Sequence, residues 1–181
     1  DIPAPVRFSP AMVERDSYIE SAPAVTPEVD LRPGRLRTLW LPALLLTLAV
    51  WLPFGHSVSN EFMFDDRDTI LHNQAISDLA NLGLLFSRTE YFGRFDEFSY
   101  RPVVTLSYFI DHAIAGKQPW IYHLHNVLLH NLNVLLVLLL LALLGAGRWE
   151  AFAVALIFAL HPLQSETVIF PGFREDLQMT A

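Results

Sequence analysis

Between Leu39 and Phe54 the chain runs Leu-Trp-Leu-Pro-Ala-Leu-Leu-Leu-Thr-Leu-Ala-Val-Trp-Leu-Pro-Phe without a single charge. With its flanks this run approaches the ~20 residues a helix needs to cross a bilayer. Trp40 and Trp51 stand near its ends, where an aromatic belt would place them. A signal sequence or a buried core helix is the competing reading; no small-residue cleavage site follows, and further apolar runs do. The second run, Ile121 to Leu144, begins polar and ends in nearly unbroken Leu and Val, long enough to span with some tilt. The third, Trp149 to Leu160, is short and approaches a span only with Gly147 and the polar continuation through His161 and Pro162. The turn Gly145-Ala146-Gly147 pairs these two runs as an antiparallel hairpin. The expectation is an all-α integral membrane protein with three transmembrane helices, at about 38–55, 121–144 and 147–162.

Composition agrees with that solvent, since 52% of the 181 residues are hydrophobic and 17% are charged. Arg32, Arg35 and Arg37 precede the first run and Arg148 sits between the second and third, so the positive-inside rule puts the N-terminus in the cytoplasm. The far-side loop, 56–120, and everything after His161 then lie across the membrane, the expected setting being a bacterial inner membrane with periplasmic loops. Residues 1–37 carry Pro3, Pro5, Pro10, Pro23, Pro27 and Pro33 with no apolar periodicity. They read as an extended cytoplasmic arm preceding a membrane region over 38–181, either docking on a partner or serving no role. A net charge of -7 with no basic face excludes nucleic acid as a partner. The absence of cysteine excludes disulfides and thiolate zinc sites.

The chemistry-bearing residues gather in the far-side loop. Asp65 and Asp66 follow the first run closely, and adjacent carboxylates repel, which drives their proton affinities apart. A carboxylate at a membrane surface suits a general base acting on a hydroxyl group; the alternative is a helix cap or solvated turn before Thr69. After Pro102, the positions Val103, Leu106 and Ile110 recur at helical spacing and predict an amphipathic helix on the membrane surface. Arg101 before it suits a lipid phosphate, or equally an ion pair with Asp96 or Glu97. His123, Asn126, His130 and Asn133 share one stripe of the second span. The stripe reads either as a ligand or metal face or as hydrogen bonding between helices.

Four stretches in order carry a family resemblance: Phe64-Asp65-Asp66-Arg67-Asp68-Thr69-Ile70, Tyr100-Arg101-Pro102-Val103, Tyr122-His123-Leu124-His125-Asn126, and Phe158-Ala159-Leu160-His161-Pro162-Leu163-Gln164-Ser165-Glu166. The chain resembles the N-terminal part of the tetratricopeptide-containing transmembrane O-mannosyltransferases and their bacterial relatives, over about residues 55 to 178. That resemblance implies a truncated glycosyltransferase C-like fold and transfer of a sugar from a polyprenyl-phosphate carrier to a hydroxyl acceptor. It implies Asp65 or Asp66 as the base, Arg174 as a carrier-phosphate ligand, and Asp176 as an aid to binding or catalysis; no cofactor and no metal ligand is assigned. Glu175 replaces the small residue usual at its position. The few spans leave a second class open, a structural subunit held by partner membrane proteins in a larger, energy-transducing assembly.

Overall fold

The computed structural model describes residues 37–87, 89–91 and 101–181, and every regular element among them is helical. The proline-rich arm up to residue 36, with Arg32 and Arg35, lies outside the described residues, as do Asp96 and Glu97. Helix α1 is Trp40–Phe54, and a tighter 3₁₀ turn, Gly55–Ser59, continues it to 20 residues. Pro53 near its end removes a backbone donor, which suits the change of winding. Helix α2 is Pro102–Ala115, and helix α3, Pro119–Leu143, reaches about 38 Å at 1.5 Å per residue. Both begin with proline, whose missing N–H costs nothing at that position.

Helices α1, with its extension, and α3 are long and apolar enough to cross a membrane. Their sidedness fits lipid. Helix α3 buries His123, Asn126, His130 and Asn133 while Leu128, Leu132 and Leu140 face outward, Leu140 with 56% of its surface exposed. A helix in the core of a water-soluble protein would show the reverse.

Helix α4, Arg148–Ala159, returns along α3 after the turn at Gly145, where φ is 101°. Its length is about 18 Å, less than the ~30 Å hydrocarbon core. The expected run to 162 ends early because Pro162 cannot donate to the helix. Ala151, Ala155 and Ala159 form the buried face of α4, and such small residues let helices approach closely. They join Leu46, Val50, Val134 and Leu138 in one apolar core.

The chain then turns through helix α5, Gln164–Ile169, and a 3₁₀ turn, Pro171–Phe173, into helix α6, Arg174–Thr180. Arg174 bonds at the level of Tyr122 and Asn126, and Leu177 at the level of Asn133, so α6 runs parallel to α3. The loop before α2 has its own core, Phe62, Ile70, Ile76, Leu85 and Tyr91, seated on Tyr108 and Phe109 of α2 and Tyr122 of α3. Lys117 clamps this loop by donating to the carbonyls of Leu71 and Asn73 at 2.7 and 2.8 Å. Helix α2 buries Val104, Tyr108 and Asp111 and turns Val103, Ile110 and Ile114 outward in an apolar stripe, whereas Leu106 of the predicted stripe packs against the loop core.

Candidate functional site

The acidic pair sits on a tight turn that separates its two members. The Asp66 amide donates to the Met63 carbonyl at 3.0 Å, and the Met63 amide donates back to Asp66 Oδ2 at 3.1 Å. Phe64 inside the turn has φ 46°, a left-handed conformation that an L side chain adopts only at a cost of about 1–2 kcal/mol. A one-turn π-helix, Arg67–Leu71, follows directly. The other oxygen of Asp66 accepts the Gly172 amide at 2.6 Å across the fold. Asp66 is wholly buried. Burial pushes its carboxyl above the usual range, the Gly172 and Met63 amides pull it back, and neighbouring Asp65 raises it again. A glycine at 172 suits this approach, because a Cβ there would lie 3.1 Å from Asp66 Oδ1 and 3.2 Å from Asp65 Cβ, closer than side chains ordinarily pack.

Asp65 points the other way. It is exposed and lines a cleft of about 260 Å³ with Phe64, Glu166, Phe170 and Phe173. Phe64 and Phe170 meet edge to face at 5.5 Å, and Phe170 meets Phe173 at 6.4 Å. The cleft thus holds two reachable carboxylates among three aromatic rings, and its Asp65 is free to accept a proton from a bound hydroxyl.

Arg174 holds the floor behind these residues. Its guanidinium is fully buried and donates to Asp111 Oδ2 at 2.6 Å, Ser107 Oγ at 2.9 Å, the Tyr122 carbonyl at 2.9 Å and Asn126 Oδ1 at 2.8 Å. It also lies over the rings of Tyr108 and Tyr122, 4.8 and 5.8 Å from their centroids. Asp111 bonds His125 Nδ1 with its second oxygen at 2.7 Å. Tyr108 donates its hydroxyl to the Pro171 carbonyl at 2.8 Å, and burial raises that hydroxyl's pKa. The residue expected to meet a phosphate is therefore engaged by the chain's own acceptors and tethers the Pro171–Phe173 turn that carries Gly172.

Arg101 and Asp176 come together in a second cleft. It measures about 560 Å³ and is lined by Arg101, Pro102, Val103, Glu175, Asp176 and Met179, sharing no residue with the first. Arg101 makes an ion pair there with Glu175. Sequence reasoning missed Asp111, Tyr108 and Glu166 as members of this region. The signal for Asp111 was present, since it is the only formal charge in the helix Pro102–Ala115, and a charge on an apolar element calls for a buried partner.

Three residues of the polar stripe of α3 join helices, while His123 stacks on Phe62. Asn126 donates to the carbonyls of Thr167 and Phe170 at 3.0 and 3.3 Å, His130 bonds the Ala159 carbonyl at 3.0 Å, and Asn133 donates to the Leu177 carbonyl at 2.8 Å. Ala159 ends α4, Thr167 lies in the last turn of α5 with Phe170 just beyond it, and Leu177 lies in the last turn of α6, where helical carbonyls lose their partners. Among the described residues no group of three or more His, Cys, Asp or Glu is placed to hold a metal ion.

Several known proteins similar to this chain are named protein O-mannosyl-transferases. The mouse protein O-mannosyl-transferase TMTC2 is 38% identical over 129 residues, covering 68% of this chain and 15% of the mouse protein. Its human counterpart is 37% identical over the same length and shares. The mouse protein O-mannosyl-transferase TMTC1 is 32% identical over 156 residues, covering 82% of this chain and 16% of the relative. The chain therefore spans a small fraction of the length of the proteins it matches. No family model and no solved structure matches it.

Proposed function

We propose a function for a chain that belongs with the TMTC-type protein O-mannosyl-transferases: it forms the acceptor-side entrance of a membrane glycosyltransferase of the glycosyltransferase C type. In this reading a sugar passes from a polyprenyl-phosphate carrier to a hydroxyl group of the acceptor. The observation that carries it is the division of the acidic pair. Asp66, locked between Met63 and Gly172, is a positioning residue, and Asp65, exposed in the aromatic cleft beside Glu166, is the base. As the acceptor oxygen bonds to the anomeric carbon, Asp65 takes its proton and the carrier phosphate leaves with the electrons of the broken carbon–oxygen bond. The Arg101 and Asp176 cleft suits the carrier phosphate, with Val103 and Met179 lining it for the apolar chain.

Three crossings, with α4 completing its crossing through the segment after His161, an N-terminus in the cytoplasm and the clefts on the far side, belong to the same proposal. So does the membrane that surrounds it, a bacterial inner membrane.

The test uses the full-length protein. Asp65→Asn is expected to lower transfer from a polyprenyl-phosphate sugar by at least ~100-fold while membrane insertion is retained. Asp65→Asn at the wild-type rate would remove it as the base. A full-length protein that transfers no sugar and is isolated in a stoichiometric membrane complex would favour the structural-subunit reading instead.

A further inference from the structure

We infer that Glu175 is an internal counter-ion that occupies Arg101 until an anionic phosphate head displaces it, so that Glu175 sets the affinity of the second cleft. This rests on the reading of that cleft as a phosphate site and adds to it a residue that controls entry.

Among the described residues Arg101 is the only cation lining the cleft, and Glu175 holds it in an ion pair. Asp176 lines the same cleft, yet among the described residues it makes no ion pair with Arg101. With one guanidinium and two carboxylates, the described lining of the cleft repels an anion. The phosphate and the Glu175 carboxylate compete for the same planar donors, since guanidinium binds both groups through paired N–H contacts.

The pair is also built to open. The Arg101 side chain is 45% exposed, so water and salt weaken its attraction to Glu175. Glu175 Oε2 is buried with no hydrogen-bond partner, so a carboxylate that swings out to water regains the hydration this oxygen lacks. Arg174, the residue before it, is tied to Asp111, Ser107 and Asn126 and keeps the helix seated while Glu175 moves.

The experiment measures binding of a short-chain polyprenyl phosphate, and separately of inorganic phosphate, to the full-length protein in nanodiscs. Glu175→Gln is expected to tighten binding roughly threefold to tenfold, the range in which a half-exposed ion pair competes. Asp176→Asn, which removes charge without freeing Arg101, is expected to tighten it less. Arg101→Gln should abolish binding in both the wild-type and the Glu175→Gln backgrounds. Whichever probe Glu175→Gln tightens identifies the source of the phosphate, lipid-borne or free. Thermal unfolding of each variant checks that insertion and packing survive.

Loss of binding in Arg101→Gln with no gain in Glu175→Gln would overturn the counter-ion while leaving the phosphate site intact. Equal gains from Glu175→Gln and Asp176→Asn would reduce the effect to the general field and overturn direct occupancy. Arg101→Gln without effect would overturn the site itself and the inference with it.

Discussion

Replacing Arg174 by Met tests the central claim about the region, that this arginine braces the fold rather than meeting a substrate. Methionine keeps most of the side chain's length and its apolar contact with Tyr108 and Tyr122, so the change isolates the charge. It leaves the Asp111 carboxylate, 1% exposed, with His125 as its remaining bonded partner, and it leaves Ser107, Asn126 and the Tyr122 carbonyl without their donor. Breaking a buried pair in this way costs about 3–5 kcal/mol, most of it the stranded carboxylate. The double variant Arg174→Met with Asp111→Leu removes that stranded charge and should recover at least ~2 kcal/mol, a coupling a double-mutant cycle resolves. The assay is denaturant unfolding of the full-length protein in detergent micelles, followed by tryptophan fluorescence. A loss below about 1 kcal/mol in the single variant, the value of a solvent-exposed pair, would refute the bracing role. Losses that simply add in the double variant would refute the pairing.

Three further outcomes follow from the same geometry. Because the folded-state pKa of Asp66 lies above its ordinary value of 3.8, the folded protein binds the proton more tightly than the unfolded chain. Its contribution therefore favours folding at low pH and is lost as pH rises from 3.8 through the folded-state value; Asp66→Asn should flatten that part of the stability profile, and an unchanged profile would contradict the burial argument. Gly172→Ala should destabilise by about 1–3 kcal/mol through crowding against Asp65 and Asp66, and lower transfer together with stability; an unchanged unfolding midpoint would count against the close approach. His130→Leu should cost on the order of ~1 kcal/mol with metal content unaltered, whereas stoichiometric metal lost in this variant would revive the metal reading of the stripe.

Much of the scaffold is written in local pattern. The uncharged run from Leu39 and the Leu-rich half of α3 specify helices for lipid because their hydropathy needs no knowledge of neighbours. The stripe of His123, Asn126, His130 and Asn133 likewise identifies the inner face of α3, since polar groups in a bilayer turn toward protein. The length of α4 was less legible, because the polar continuation past Leu160 suggested a helix that Pro162 interrupts.

Local pattern carries the solvent, the helical class, the position of the acidic pair and the family to which that pair belongs. Where each charged side chain sits, and with which partner, depends on the folded arrangement. Asp65 and Asp66 are equivalent as letters, and the Gly172 amide, 106 residues away, makes one a buried brace and leaves the other at the cleft. Arg174 and Arg101 divide in the same way, one enclosed by Asp111, 63 residues distant, the other half-exposed beside Glu175. Hydropathy acts along a few turns of chain and is legible there, whereas the burial and pairing that set a carboxylate's or a guanidinium's role depend on groups brought near only by the fold.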